Sequence, residues 1–504
     1  MRVAGKNHSV QMSLRFRTWN RDTFDALGAL AGGFLLIGIS VVGHLLSPLI
    51  AIPLAALLSA FVANYAPRTA VISVIVALLF QNLFVSLVSQ HLSGPDEFKI
   101  IRGYNFIILV MVWVTIAAGY LTRLRGANRS IDKLINVTSC VMGIVFFYFL
   151  FGFIQNPTPA VIYLRNIVSP IMLFQITILV FCRFEFRISA ALFFISLIFI
   201  LLGYLELTSR ADWLNLTGGN NYWELDMRGE RLSLEWDREA RESGRVTTSY
   251  LDAFKVDFFN TPLLDGLDLR ITRLMGPNMH AISYSYAVAF LLIFTLFRGA
   301  PISAALLFPL LVFANAKGAL ILLVLVGVGW CAFRLFGARL SFWAMGLLLT
   351  VYTLAGIVVG LQIGDFHVLG FMGGLHNFLS FPFGHGIGVG GNLATDFTKL
   401  DWPAYQALGR TPVAIESAVG VLLYQMGPGA FILLGLYVWI AWQTLRVASY
   451  TGNSLHIAAS FALLTVLVNG IFQEEALFSP LALGLLITLN GMALGQAIRK
   501  GFIP

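Results

Sequence analysis

Charge is what this 504-residue chain has least of: Asp, Glu, Lys and Arg make up 12% of it, against 58% hydrophobic residues. With a mean hydropathy of +0.81, a water-soluble core is excluded, because so much apolar surface has to face lipid. Cysteine is scarce too. Cys140, Cys182 and Cys331 are odd in number and lie in or beside apolar runs, so no disulfide framework is expected. Metal motifs are missing: no Asp-x-Asp pair occurs, Glu224-Leu225-Asp226 is a poor substitute, and no His/Cys/Asp spacing suggests zinc. No metal or other cofactor is expected. Nor do the two halves repeat, as those of inverted-repeat transporters often do.

What is present is a succession of long apolar runs with arginine and lysine at alternate gaps. Arg15, Arg17 and Arg21 precede the first run, and Arg68 follows the second. Arg123, Arg125, Arg129 and Lys133, then Arg183 and Arg187, then Arg298, Arg334, Arg339, Arg446, Arg499 and Lys500 continue the series. Short loops rich in Lys and Arg stay cytoplasmic. Threading the chain with those gaps inside requires about fourteen helical spans and puts both termini in the cytoplasm. The spans are expected near residues 24–46, 48–66, 69–89, 104–122, 134–154, 166–182, 188–206, 279–297, 300–315, 318–334, 340–362, 414–442, 454–472 and 478–497. In lipid only helices or closed barrels satisfy every backbone polar group, and runs this long mean helices. The expected class is an all-α polytopic membrane protein. The formal charge of +8 is then spread over helix ends, and no nucleic-acid partner is implied. The first run, Phe24–Leu46, is too long for a signal-peptide core and reads as an uncleaved span.

The same map leaves two long loops, near 207–278 and 363–413, on the outer face. The first carries about half of the chain's 25 acids, interleaved with Arg228, Arg231, Arg238, Arg241 and Arg245. Its stretch Glu235–Ser243 has the mixed charge of a solvated helix. Its aromatic residues Trp213, Tyr222, Trp223 and Trp236 suit either the membrane interface or sugar stacking. The second is glycine-rich, with Phe381-Pro382-Phe383-Gly384-His385-Gly386-Ile387-Gly388-Val389-Gly390-Gly391 at its centre. Such glycines let a backbone turn sharply and approach a ligand closely. The run follows no strand and opens no helix, so it is not a nucleotide fingerprint.

Four places hold residues suited to chemistry. In Arg270-Ile271-Thr272-Arg273-Leu274-Met275-Gly276-Pro277-Asn278, two arginines end an outer loop where topology gives no reason for them. A guanidinium grips phosphate through two parallel hydrogen bonds, and Asn278 is placed to cap the next helix. The plain alternative is headgroup contact, or pairing with Asp265 and Asp268. Lys317 is a cation between two apolar runs, either functional or snorkelling to the headgroups. His376 and His385 flank the glycines, Gly386 and Gly388 among them, as base, ligand or inert surface groups. Last, Arg410 precedes Glu416, a carboxylate opening an apolar run that reaches Met426-Gly427-Pro428-Gly429, either reactive or a helix cap.

The order of these pieces resembles the O-antigen ligase and polysaccharide polymerase superfamily, over about residues 265–435. Arg-x-x-Gly-Pro-Asn comes first, then a small-residue turn with a cation, a Gly-x-Gly-x-Gly stretch, and a polar pair before Met-Gly-Pro-Gly. The resemblance implies a GT-C-like membrane fold in the bacterial inner membrane. It also implies transfer of a glycan from undecaprenyl pyrophosphate at the periplasmic face, with a flippase and a chain-length regulator as partners. Arg273 would hold the pyrophosphate, with Arg270, Lys317, Arg410, His376, His385, Gly386, Gly388 and Asn278 around the substrate. Lys317 stands where many members have Ser-Arg, keeping the charge without the fork. Glu416-Ser417 replaces the His-Asn of ligases and is closer to the polymerase branch. Independently, leaving-group charge on a pyrophosphate calls for preorganised cations, and Glu416 is suited to take a proton from the attacking hydroxyl. The alternatives are a ligase acting on lipid A core and, from another class, a flippase for lipid-linked oligosaccharide. A flippase should have short outer loops and charges at mid-membrane depth.

Overall fold

The computed structural model describes residues 4–185, 188–228, 255–260 and 269–502, with side chains from Thr23 onward. Glu235–Ser243, Trp236, Asp265 and Asp268 lie outside the described residues.

The described chain is almost entirely helical. Eleven of its helices are long and apolar enough to cross a membrane, from Thr23–Leu46 to Pro480–Arg499. Proline marks where they begin: Pro48, Pro67, Pro95, Pro157, Pro301 and Pro428 all sit in first turns, where a missing N–H costs nothing. Side-chain caps from Ser47, Asn128 and Asn453 and left-handed glycines such as Gly299 and Gly452 set other boundaries.

Four stretches differ from the hydropathy expectation. Residues 318–334 and 340–362 belong to one 47-residue helical element, Lys317–Ile363, interrupted at Gly337 with φ 73° and ψ −179°. A straight helix of that length would run about 70 Å, more than twice the hydrocarbon thickness, so the break is where one span can give way to another. Pro301–Phe313 and Ser454–Asn469 are helices of 13 and 16 residues, short of the ~20 a full crossing takes. The expected 414–442 run is divided at Gly427-Pro428 into Ala418–Met426 and Pro428–Thr451.

Pro157–Arg183 and Pro480–Arg499 form the centre of the bundle and are buried along most of their lengths. They approach closely because the second helix turns glycines toward the first. A Cβ on Gly491 would fall 2.1 Å from Thr177 Oγ1, and one on Gly495 2.8 Å from the Ile178 carbonyl. The outer helices bare apolar side chains, such as Leu49 (85% exposed) and Trp343 (69%). Lipid tails cover such surface at no cost, whereas water would not.

Loops gather at two opposite ends. Arg123, Arg183, Arg298, Arg334 and Arg499 mark one, here the basic end. The other holds a short antiparallel ribbon, Lys255–Asp257 with Arg270–Thr272, and the turns that build the candidate site.

Candidate functional site

The site begins with a buried carboxylate. Glu206, 1% exposed at the end of the Ile188–Thr208 helix, accepts the N–H of Met275 (3.0 Å) and of Gly276 (2.6 Å). Its charge is balanced by Arg210 at 2.8 Å, and Arg210 also donates to the carbonyl of Arg273. The backbone between the ribbon and the single 3-10 turn Gly276–Asn278 is thereby fixed where Arg273 needs it. Asn278 completes the anchor, donating to the Leu79 carbonyl at 2.9 Å while its own carbonyl accepts from Asn82 at 2.7 Å. At 1% exposure it is a staple. The cap of the next helix falls instead to His280, whose Nδ1 accepts from Ser283 N, because Asn278 has been drawn into the packing against Leu79.

Arg273 donates through Nε to the Ala314 carbonyl at 3.2 Å, leaving its two terminal nitrogens uncommitted to protein carboxylates. Among the described residues no carboxylate lies within ion-pair distance of it; Glu475 acts on it from farther away. Burial lowers its pKa and Glu475 opposes that, and a guanidinium so placed remains cationic. Arg165, on the Pro157–Arg183 helix, is likewise without a carboxylate partner among the described residues, with only the Asn166 side chain at 3.3 Å. It lies within electrostatic reach of Arg102, which is neutralised by Asp226 and stacked 5.1 Å from the Phe98 ring centroid. His280 links these groups. It feels Glu475, Arg102, Arg273 and Asp226, and enclosure by protein lowers its pKa, yet solvent reaches it.

Glu416, like Arg273, lies within electrostatic reach of Glu475, in the acidic turn Gln473-Glu474-Glu475. Its backbone is left-handed, φ 60°, a conformation that costs a side-chain-bearing residue about 1 kcal/mol or more. Three contacts hold it there. Glu416 N donates to Asn392 Oδ1 at 2.8 Å, and His367 Nδ1 lies 3.0 Å from the Glu416 carbonyl and 3.6 Å from Oε2. The helix that follows is capped by Ser417, whose hydroxyl accepts from Gly420 N at 3.2 Å. The cap reading of Glu416 is therefore corrected: the turn at positive φ carries its carboxylate off the helix end. Burial lifts that carboxyl above the usual range; His367 and Asn392 pull it down, and Glu475 and Asp365 push it up. Beside it Glu474, 8% exposed, accepts from Tyr163 Oη at 2.6 Å and is pushed up by burial to about 8.

No family model matches this chain, and no curated protein matches it.

The other expected site residues are distributed differently. The glycine-rich loop approaches the protein's own helices. His385 N, Gly386 N and Ile387 N donate to the carbonyls of Tyr424, Gln425 and Tyr148 at 2.9, 2.9 and 3.0 Å. Gly386 and Gly388 have φ 97° and 92°, and a Cβ on either would fall within 2.6 Å of Gly152 or Ala160 backbone. Their glycine character is used for packing. The His385 ring is stacked between Phe381 and Tyr424, centroids at 4.8 and 4.3 Å, and burial lowers its pKa. His376 accepts from Arg410 at 2.9 Å on an exposed surface. Arg270 pairs with Asp257 at 3.2 Å across the ribbon, both about half exposed. Lys317 is exposed at the start of its helix. The turn before it is tied to the ribbon by Asn315, and Gly318 accepts from Asn469 at 2.7 Å.

The structure thus brings Arg273 and Glu416 to one acidic turn, Gln473-Glu474-Glu475. It adds Arg165, His280, His367, Asn392 and Glu474, which sequence reasoning missed. A signal existed for Glu474-Glu475, adjacent acids between apolar runs on the outer side of the topology map. Among the described residues no three His, Cys, Asp or Glu side chains are grouped as metal ligands.

Proposed function

We propose that this protein is an inner-membrane polysaccharide polymerase. It would transfer a growing glycan from undecaprenyl pyrophosphate to a lipid-linked repeat unit, at the periplasmic face. The observation that carries this reading is that Arg273, without a carboxylate partner among the described residues, and Glu416 both lie within electrostatic reach of Glu475, while Arg165, likewise unpaired among the described residues, is linked to them through Arg102 and His280. Half-buried arginines with no counter-charge are costly to keep unless an anion completes them. The fork of Arg273 matches a diphosphate oxygen pair.

In this reaction the acceptor hydroxyl loses its proton to Glu416, and its oxygen forms the bond to the anomeric carbon. The bond from that carbon to the pyrophosphate oxygen breaks, and the electron pair leaves with undecaprenyl pyrophosphate. Arg273 and Arg165 hold the charge as it develops. Direct displacement inverts the anomeric centre. A carboxyl with a raised pKa suits the base role, being a stronger proton acceptor than a solvated glutamate. His367 and Asn392 orient it.

The test is polymer formation from purified lipid-linked repeat units by the purified protein, with and without EDTA. The expected result is elongation that chelation leaves unchanged and that Arg165→Ala lowers about 10²-fold or more, the usual loss for one preorganised donor. Translocation of the lipid-linked unit without elongation would replace this reading with a flippase. Loss of activity on chelation would remove the arginine-only account of the pyrophosphate.

A further inference from the structure

Among the described residues, three cavities at the basic end have volumes of about 540, 500 and 290 Å³. In two of them an arginine lies over a ring, Arg183 and Arg68 being 5.1 and 5.6 Å from the Phe184 centroid, and Arg123 also lines the larger one. The third differs. Arg298 from the end of the Ala281–Arg298 helix, Arg499 and Lys500 from the end of Pro480–Arg499, and His456 from Ser454–Asn469 converge on it. Arg298 and Lys500 both act electrostatically on His456. Among the described residues only one acid lines the space, Glu185, 80% exposed and 4.0 Å from Arg499 at the rim. The Arg499 side chain is 22% exposed, and its Nε is buried with no hydrogen-bond partner. Gln496, Asn453 and Ser189 add polar groups, while Leu192, Phe294 and Met492 give the floor an apolar lining.

Topology alone explains arginines at helix ends, and the helix dipole favours them there. It does not explain why cations from separate helices turn onto one space, where their mutual repulsion is a cost. A bound anion repays that cost. We propose that this recess binds a phosphate-bearing anion, with Arg298, Arg499 and Lys500 as its ligands. The phosphate comes from an anionic phospholipid headgroup, with its glycerol against the apolar floor, or from solution. Either way the site is separate from the Arg273 site at the opposite end of the bundle.

The experiment uses the full-length protein, with thermal unfolding as readout. One arm is in nanodiscs of phosphatidylcholine with increasing phosphatidylglycerol. The other is in neutral detergent with inorganic phosphate. A saturable rise in Tm is expected in at least one arm. A response only to phosphatidylglycerol assigns the headgroup, and a response to phosphate in detergent assigns the solution anion. Arg298→Gln/Arg499→Gln should raise the half-saturating concentration about tenfold or more, as loss of charge-assisted bonds does. Lys500→Gln, an exposed change that spares the core, should raise it to a smaller degree and covers the case in which the double variant does not fold. Arg446→Gln, basic but outside the recess, should leave it unchanged. A wild type with no saturable response overturns the proposal, as does an equal loss in Arg446→Gln or an undiminished response in Lys500→Gln and the double variant.

Discussion

His367 meets Glu416 at both ends of the residue: its Nδ1 is 3.0 Å from the carbonyl oxygen and 3.6 Å from the carboxylate Oε2. One imidazole thus steadies a left-handed backbone and tempers the charge of the carboxyl beside it. The Phe366–Ser380 helix that carries His367 is capped by Asp365, which places a further acid next to the pair.

Glu416 acts as a base only when ionised, so polymer formation should rise with pH, with its midpoint above the ordinary carboxylate range. Glu416→Gln keeps the shape and removes the acceptor, and should lower turnover by about two to four orders of magnitude. Ser417 remains as the cap, so Tm should hardly move. In His367→Gln the carboxyl loses the group that pulls its pKa down, and the rising limb should shift to higher pH. An unshifted limb would show that His367 only supports the fold. Full activity in Glu416→Gln would end the base assignment.

Arg273 is anchored through Nε, so its terminal nitrogens provide the fork. Arg273→Lys keeps a charge but loses both the Ala314 anchor and the bidentate geometry, and should lower polymer formation about tenfold or more. Arg273→Ala should lower it by about 10²–10³. Activity is to be compared at matched expression. Wild-type polymer from Arg273→Ala would remove the residue from the site.

Glu474 links pH to stability. Its folded pKa, about 8, lies above the ordinary 4.5, so between those values the unfolded chain releases a proton that the folded one keeps. Stability from this group is complete below about 4.5 and falls as pH rises to about 8. Tm of the purified protein should decline across that window, and Glu474→Gln, which retains an acceptor for Tyr163, should flatten the decline. An unchanged slope would mean that Glu474 is ionised in the fold.

Orientation can be read by cysteine labelling in a background lacking Cys140, Cys182 and Cys331. Ala407→Cys and Ala127→Cys are both at exposed positions, one at each end of the bundle. An impermeant maleimide should label position 407 in intact spheroplasts and position 127 only after permeabilisation. The opposite pattern would invert the topology and put the candidate site in the cytoplasm.

Much of this was legible in one dimension. Apolar runs form helices in lipid whatever their neighbours, because each helix satisfies its own backbone, and Pro157 or Pro428 starts one with no tertiary help. Arg273 and Glu416 stood out because each breaks a local pattern of hydropathy or charge. Arg165 did not, being a single cation near the edge of an apolar run; only the convergence of separate segments puts it within reach of Arg102, and His280 within reach of Arg102 and Arg273. The glycines near His385 read as a ligand cradle because their backbone freedom is local, while what that freedom is used for, packing on Gly152 and Ala160, is not. The same holds for Asn278, whose amide serves equally as a cap or a staple until Leu79 is placed beside it. Hydropathy is a property of a short window of chain, so the sequence by itself determined that the apolar runs are helical. Which charges meet without a partner depends on distances between residues hundreds of positions apart, and only the tertiary structure decided that.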